Sequence, residues 1–274
     1  MSKKIYETIT NKIIEKLEEG TIPWRMPFEK GVAVNWVNQK PYRGINVFLL
    51  DGGEYATFKQ IRDNGGTVKK GEKGHTIVFW KMLDGEDKET GEDKKIPLLK
   101  TYTVFKIGEQ TKGIEPKRKP IEHEHTSIEQ AEEILKNYKN APRYTDKSGR
   151  AFYSPSADIV NIPPKEDFEN INHYYSVLFH EMVHSTGHET RLNRPGIVEM
   201  NGFGTEQYSK EELIAELGAS MLSGIAQIDN STLENSASYI QSWLNVLNND
   251  HSLIVNASQL AQKASDHILG TTFN

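Results

Sequence analysis

Residues 180–184 read His-Glu-Met-Val-His, and this pattern limits the local structure more than any other segment of the chain. On an α-helix, residues four positions apart lie on one face, so His180 and His184 would present their imidazoles side by side. Two neutral imidazoles at that spacing can chelate one zinc ion. The glutamate between them, Glu181, would lie beside the open coordination position, where it can take a proton from water. The pattern therefore predicts a helix that carries a metal site.

The sequence around this pattern is typical of an amphipathic helix. No proline or glycine occurs between Glu169 and Ser185, and Gly187 supplies a stop shortly afterwards. Apolar side chains recur at steps of three and four residues, as on the buried face of a helix: Tyr174, Val177, Leu178 and Met182. We therefore expect one helix over residues 169–185, with both histidines on it.

A second helix downstream offers a third ligand. Zinc at a catalytic site prefers three protein ligands and an exchangeable water, and a chain without cysteine must use histidine and carboxylate. Residues 210–219 read as a helix whose small-residue face carries Glu212 and Glu216 and permits close approach to a neighbouring helix. Alternatively, Glu211, Glu212 and Glu216 are ordinary first-turn acids after a Ser209 cap, which explains Glu211 well and Glu216 less well.

The two halves of the chain differ in net charge. Residues 1–120 contain 23 basic and 17 acidic residues, whereas residues 121–274 contain 10 and 21. This asymmetry favours a nucleic-acid-facing front half joined to a back half with another role, although the excess of positive charge in front is modest. Residues 113–126 have two prolines, dense charge and little apolar content, and read as a linker. We therefore expect two domains, at residues 1–112 and 127–274.

The front half reads as a small α+β module. A helix is predicted from Tyr6 to Glu19, where Gly20 ends it, and a short helix begins near Tyr55. Two strands follow, Thr76–Lys81 and Leu98–Ile107, joined by a charged hairpin tip from Asp84 to Lys95.

Basic and aromatic residues alternate in this front half, as a non-specific single-strand binder requires. Bases stack on aromatic rings, and lysine and arginine follow the phosphates. The candidates are Trp24, Arg25, Trp36, Tyr42, Arg43, Lys69, Lys70 and Lys73. For each ring taken alone, packing in the core is the stronger interpretation, and the lysines also serve solubility.

Nothing in the sequence predicts a membrane protein. No apolar window approaches the length of a membrane span, and the amino terminus is charged and lacks the apolar core of a secretory signal. The absence of cysteine fits a reducing compartment, so we expect a cytoplasmic protein without a membrane partner.

The two predicted helices together resemble the zincin metallopeptidases, in the branch whose third ligand is a glutamate on a second helix, within the pattern E-x-x-[AS]-[DEN]. The resemblance implies that Glu212 binds the metal and that Glu216 orients a ligating histidine through its other ring nitrogen, and the reverse assignment stays open. His188 is a rival third ligand. The related metzincin pattern needs a histidine where this chain has Thr190, which argues against that branch.

Longer stretches of the chain resemble the ArdC antirestriction family. In the front half these are Ile22-Pro-Trp-Arg25, Pro41-Tyr-Arg-Gly-Ile-Asn46, Tyr55-Ala-Thr-Phe58 and Val68-Lys-Lys-Gly-Glu-Lys-Gly74. In the back half they are Phe152-Tyr153, Asp158-Ile159, Pro163, the His180 motif, Thr186-Gly-His188, Arg191, Arg194, Phe203-Gly204, Tyr208 and Glu211–Glu216.

The resemblance implies an α+β protein in which a small single-stranded-DNA-binding domain is linked to a mainly helical, zincin-like metallopeptidase domain with a small sheet. Members of this family travel on plasmids and other mobile elements, including those moved by conjugation, and protect incoming DNA from host restriction. The implied partners are single-stranded DNA and a protein substrate, such as a host restriction protein or a DNA-bound protein. The implied metal is Zn²⁺, with Mn²⁺ or Co²⁺ as alternatives.

If the site is active, Glu181 is the predicted general base, and support for the oxyanion would come from Tyr208, Tyr153 or His188. The segment 151–162 would supply a strand that pairs with extended substrate. Two other functions stay open. One is a DNA-shielding protein whose metal is structural and which cleaves nothing. The other is a general zinc peptidase whose front half binds protein.

Overall fold

The computed structural model describes residues 2–25, 31–86, 93–118, 127–199, 206–229 and 237–271. The front half contains α1 (Ser2–Glu18), a 3₁₀ turn (Pro23–Arg25), β1 (Val34–Asn35), α2 (Asn46–Leu49), β2 (Glu54–Thr57), α3 (Phe58–Asp63), β3 (Thr67–Val68), β4 (His75–Glu86), β5 (Asp93–Lys106) and β6 (Thr111–Lys112). This half is a small α+β unit, as the sequence predicts.

The back half is mainly helical. Its elements are α4 (Ser127–Asn137), β7 (Arg143–Thr145), β8 (Phe152–Ser154), β9 (Ile159–Asn161), a 3₁₀ turn (Lys165–Asp167), α5 (Ile171–Ser185), α6 (Pro195–Val198), α7 (Glu206–Ala226), α8 (Ala237–Asn249) and α9 (Leu253–Leu269). The small sheet has the order β7-β9-β8, with β7 parallel and β8 antiparallel to β9. β8 is therefore an edge strand.

The front sheet is built around the long antiparallel β4–β5 hairpin and has the order β1-β2-β5-β4. Its inner face packs on the helices through Val78 and Leu99, which are 6% and 4% exposed. Its outer face is covered at one end by a small cluster around Tyr55, which contains Ile77 and Val104. Because side chains alternate between the two faces, one strand contributes to both cores.

The hairpin is longer than the sequence predicts. Backbone pairing continues to Glu86 opposite Asp93, so the outer parts of the predicted tip, residues 84–86 and 93–95, are strand. The prediction that this whole charged segment is a turn is wrong for those residues. Ladder hydrogen bonds join backbone groups, so a run of charged residues does not by itself end the strand pairing. Residues 87–92 lie outside the described part of the chain.

The two halves share the largest apolar core. α1 contributes Ile9, Ile13 and Leu17, each at most 1% exposed, and the same cluster includes residues of α5, α7 and α9. The Thr10 hydroxyl donates to the carbonyl of His251 at 2.6 Å, so a polar contact also crosses between the halves. The amino-terminal helix is therefore an integral layer of the back half's helical core.

Part of the predicted linker packs on the front half. Trp36 Nε1 donates to the carbonyl of Glu115 at 2.9 Å, and the backbone N–H of Arg118 donates to Glu54. Ile114 is 8% exposed. Residues 113–118 thus extend the front half, and residues 119–126 lie outside the described part. Across all described residues, the helices are too short or too polar to pass through a membrane.

Candidate metal centre

Two helices bring the predicted metal ligands together. His180 and His184 lie on α5, and their Nε2 atoms are 3.1 Å apart. Glu212, near the start of α7, places Oε2 3.5 Å from Nε2 of His180 and Oε1 3.6 Å from Nε2 of His184. One donor atom from each of the three side chains lies within 4.8 Å of the other two. Two imidazoles and a carboxylate form a donor set typical of zinc sites with an open position.

The local sequence explains why α5 and α7 meet here. α5 begins at the cap Asn170, whose side chain accepts from the N–H of His173 at 2.9 Å. Gly218 of α7 lies against Val183, and a Cβ at this glycine would fall 2.8 Å from the valine side chain. Absence of a side chain therefore permits the close helix contact that places Glu212 opposite the histidines.

A buried ion pair holds one of the histidines. Nδ1 of His184 lies 3.3 Å from Oε1 of Glu211, and Arg194 donates to both Glu211 oxygens, from Nε at 3.0 Å and from Nη2 at 2.6 Å. Burial alone would raise the pKa of Glu211, but the hydrogen bonds from His184 and Arg194 outweigh it and lower that pKa. An ionised Glu211 accepts from Nδ1–H and leaves Nε2 of His184 free to face Glu212.

Glu211 thus has the contact that the sequence assigned to Glu216. The prediction that Glu216 orients a ligating histidine needs correction, because its carboxylate accepts from Nη2 of Arg25 at 3.1 Å. The alternative interpretation of Glu211 as an ordinary first-turn acid did not predict this ion pair or the burial of the residue, which is 4% exposed. Its partner Arg194 enters from the segment after α5, and no spacing rule on α7 reveals that partner.

Arg25 brings the front half to the edge of the metal centre. Its guanidinium lies 3.9 Å from the centroid of the Tyr239 ring, and it pairs with Glu216. Trp24 and Arg25 line a cavity of about 170 Å³ together with side chains of α5 and α7: Ser176, Val177, His180, Glu216, Ala219, Ser220 and Ser223. Both halves therefore form the wall of the cavity beside His180.

Charge is concentrated at the three donors. Burial would lower the pKa of His180, but the hydrogen bond with Glu212 and the charges of Glu216 and Glu181 raise it to about 9. Burial would raise the pKa of Glu212, but its hydrogen bond with His180 and the nearby imidazole charges lower it to about 2. His180 and Glu212 therefore form an ion pair. A divalent cation that binds both side chains would displace the proton from His180.

Tyr208 also belongs to this site. It lies one turn before Glu212 on α7, and burial, the charge of Glu212 and a hydrogen bond with that carboxylate raise the pKa of Tyr208 to about 12. The charge of Glu181 contributes in the same direction. Tyr208 therefore stays protonated at neutral pH and can donate a hydrogen bond. Glu181 is partly buried on α5, between the two histidines in sequence.

The two other candidates for oxyanion support make contacts elsewhere. The Tyr153 hydroxyl donates to Asp158 at 2.9 Å and accepts from Arg191 at 3.3 Å. His188 lies in the turn after α5, where Nδ1 is 2.9 Å from the Thr190 hydroxyl. Within the described part of the chain, the group of possible metal ligands contains His180, His184 and Glu212 but not His188.

The two tryptophans among the predicted DNA contacts lie inside the fold, whereas the tyrosine and the two arginines are partly exposed and make contacts within it. Trp24 and Trp36 are 1% and 7% exposed, so neither ring is accessible for stacking on a base. Tyr42 is half-buried beside Tyr55, with ring centroids 6.3 Å apart. Arg43 forms an ion pair with Asp266 of α9.

The three lysines among the predicted DNA contacts differ in how exposed they are. Nζ of Lys69 donates to the carbonyls of Gly108 and Glu109, at 3.2 and 2.6 Å. Lys70 and Lys73 are exposed. Of the eight side chains that the sequence singles out, these two lysines are the ones that the structure leaves fully on the surface.

Two protein-family models match separate parts of the chain. Residues 3–105 match the model of the N-terminal domain of the anti-restriction factor ArdC. Residues 129–260 match the model of a zincin-like metallopeptidase domain. The identification of two ArdC-like parts from the sequence is thereby confirmed.

Solved structures and curated proteins resemble the whole chain. The crystal structure of the antirestriction protein ArdC from plasmid R388, in its metal-free form, is 34% identical, with a TM-score of 0.73, and covers 98% of this chain and 99% of that one. The Mn(II)-bound form gives 32% identity and a TM-score of 0.74, with 97% of each chain covered. The protein y4eC of Sinorhizobium fredii is 33% identical over 96% of this chain and 90% of its own length.

A second group of relatives is much longer. Two DNA primases TraC of Escherichia coli are 33% and 32% identical over 97% and 98% of this chain. The chain spans only 20% and 27% of their lengths. The zincin-like domain and the Mn(II)-bound relative both point to a divalent metal at the three-donor site. On the strength of the near-complete match to the R388 protein, the chain belongs to the ArdC antirestriction family.

Proposed function

We propose that this protein protects the incoming DNA of a mobile element from host restriction, by binding single-stranded DNA and by hydrolysing a peptide bond at the metal centre. The observation that carries the catalytic half of the proposal is the convergence of His180, His184 and Glu212, with Glu181 on the same helix. The DNA-binding half is supported by the ArdC-type N-terminal domain. The protein substrate that we propose is a host restriction protein or another DNA-bound protein.

The donor set fits a divalent ion, and we propose zinc, with manganese and cobalt as alternatives. His180, His184 and Glu212 would hold it, and Glu211 fixes the tautomer of His184 through Nδ1. When bound, such an ion supplies a Lewis acid that makes a water more acidic and polarises a peptide carbonyl. The presence of Glu181, which a purely structural site does not require, supports hydrolysis over a structural metal.

The chain's own side chains supply the remaining chemistry. Glu181 takes the proton of the attacking water and passes it to the leaving amine. Tyr208, protonated beside Glu212, donates a hydrogen bond to the carbonyl oxygen as negative charge develops on it. The edge strand β8, where Phe152 is 45% exposed, offers unpaired backbone groups to an extended substrate.

A transfer assay tests this proposal. Unmodified DNA would be conjugated into a restricting host in the presence of wild type, of Glu181→Gln, or of the matched control Glu166→Gln, a change at an exposed carboxylate outside the site. We expect wild type and the control to protect equally and Glu181→Gln to lose protection while it still binds metal and single-stranded DNA. Equal protection by Glu181→Gln would show that peptidase chemistry is dispensable and would favour a DNA-shielding protein with a structural metal.

A binding measurement separates the remaining alternative. A general peptidase with a protein-binding front half would have weak affinity for single-stranded DNA, with little dependence on salt. We expect instead an affinity that falls steeply as salt rises.

A further inference from the structure

Two aromatic side chains lie exposed in contact with each other on the outer face of the β4–β5 hairpin. Phe79 and Tyr102 are each 45% exposed. Their ring centroids are 6.3 Å apart and their planes meet at 89°. In this edge-to-face arrangement, the partner ring leaves at least one face of each ring open. Single exposed apolar side chains are common on protein surfaces, whereas contiguous exposed apolar surface often marks a binding site.

The strand register places two lysines around these rings. Phe79 pairs with Lys100, Ile77 with Tyr102, and Lys81 with Leu98. Directly paired residues present their side chains on the same face of a sheet, so Lys81 and Lys100 share the outer face with the two rings. Both lysines are exposed.

The limits of this surface are set by the rest of the fold. The opposite face is turned toward the helices, where Lys12 of α1 donates to the Thr76 hydroxyl at 2.8 Å and Val78 is buried. On the outer face, Ile77 and Val104 are covered by the cluster around Tyr55. The open stretch therefore begins at Phe79 and Tyr102 and continues toward Lys81.

We propose that this surface, the hairpin platform of Phe79, Lys81, Lys100 and Tyr102, binds single-stranded DNA by stacking bases on its rings. The proposal rests on the single-stranded DNA binding proposed above, and it names the residues that would make the contacts. Bases of any sequence stack on aromatic rings while lysines contact the phosphates. The platform carries two positive charges and no negative one, which favours a polyanion over a neutral or basic partner, and the two exposed rings favour a polyanion that carries bases.

The burial of the sequence-predicted rings strengthens the assignment. Trp24 and Trp36 are enclosed by the core, so they offer no face to a base. The hairpin platform provides the missing aromatic component on the same half of the protein. Its two rings are separated by 23 positions in the chain and come together only through the strand register.

Fluorescence anisotropy on the whole 274-residue chain tests the role of the rings. The probe is a labelled oligothymidine of about 20 nucleotides, longer than the site of a typical single-strand-binding domain. We expect Phe79→Leu and Tyr102→Leu each to raise the Kd roughly ten-fold, because leucine keeps an apolar side chain and loses the stacking surface. The matched control is Phe58→Leu on α3, where the ring is 57% exposed, and it should bind as wild type does.

The salt dependence tests the lysines. Each phosphate contact that is lost should reduce the slope of log Kd against log salt by about 0.7 for single strands. We expect this reduction for Lys100→Gln and none for the control Lys59→Gln, whose lysine pairs with Asp63 on α3. Unchanged slopes for both variants would contradict a phosphate contact at Lys100.

A crosslink gives a readout that does not depend on affinity. Oligothymidine with 5-iodouracil substituted along its length should, on irradiation, form adducts that map to Phe79 or Tyr102. Adducts only on other segments, together with wild-type affinity of both leucine variants, would overturn the hairpin platform and leave single-strand binding intact. If the wild-type protein does not bind the oligonucleotide at all, the DNA-binding half of the proposed function fails, and the platform fails with it.

Discussion

Nη2 of Arg25, in the front half, donates to Oε1 of Glu216, one turn after Glu212 on α7, at 3.1 Å. The two side chains are 9% and 17% exposed, so the ion pair is largely shielded from water. The negative charge of Glu216 also acts on His180. The front half therefore neutralises an acid at the edge of the metal centre, and the two halves are coupled where the chemistry is proposed.

Arg25→Gln should destabilise the protein by about 3 kcal/mol, because it leaves the Glu216 carboxylate largely buried without its partner. Glu216→Gln should cost less, and the double variant should be more stable than Arg25→Gln alone, since no unpaired charge remains. Urea unfolding followed by tryptophan fluorescence measures all three. Additive effects of the two substitutions would show that the pair is not coupled.

The choice of third ligand can be tested by metal affinity. Glu212→Ala should weaken binding of Zn²⁺ or Mn²⁺ by several orders of magnitude, because it removes one of three protein donors. Glu216→Ala, on the same helix, should retain an affinity within about ten-fold of wild type, since Glu216 faces Arg25. Competition with a chromophoric chelator measures both constants. The reverse ranking would make Glu216 the ligand and Glu212 its neighbour.

Glu211 should raise the metal affinity of the site through its contact with His184. Glu211→Gln keeps the shape of the side chain but removes the charge that stabilises Nδ1–H of His184 and that pairs with Arg194. We expect metal affinity to fall about 10- to 100-fold, the usual effect of losing such a supporting carboxylate. Glu199→Gln, at an exposed carboxylate beyond α6, is the matched control. Unchanged affinity in Glu211→Gln would show that the contact holds the fold only.

The metal-binding helix was predictable because its constraints are local. Periodic apolar residues and the absence of proline and glycine predict a helix over 169–185, and the structure has one over Ile171–Ser185. The four-residue spacing of two histidines follows from helix geometry alone. Glu212 could be predicted from the family pattern as a ligand. The structure places its carboxylate beside both imidazoles.

Long-range partners were not predictable from one sequence. Glu211 and Arg194 are 17 residues apart and meet only because the chain turns back after α5. The outward face of Phe79 and Tyr102 depends on strand register, which a single sequence fixes poorly when both faces carry apolar residues. Burial of Trp24 depends on the docking of α1 and α8, which encloses a tryptophan that composition alone presents as a base-stacking candidate.

An ion pair beside the zincin-like sheet should make the protein sensitive to acid. Arg191 donates from Nη1 to Asp158 at 3.1 Å and from Nη2 to the other carboxylate oxygen. Burial alone would raise the pKa of Asp158, but the hydrogen bonds from Arg191 and Tyr153 outweigh it and lower that pKa. A lowered pKa in the folded state means that the contribution to stability is complete above the unfolded value, about 3.9, and is lost as pH falls through the folded value.

We therefore expect Asp158→Asn to cost about 2 kcal/mol at neutral pH, less than a fully buried pair, because the carboxylate is partly exposed and Arg191 keeps its bonds to the carbonyls of Ser185 and Asn140. Urea unfolding of wild type and variant at a series of pH values measures the difference in the free energy of unfolding. That difference should be constant above about pH 5 and should shrink below about pH 4, where Asp158 takes up its proton and the wild type loses its advantage. Other carboxylates titrate alike in both proteins and cancel. A difference that stays constant down to the lowest pH would show that the charge of Asp158 is not what stabilises the contact.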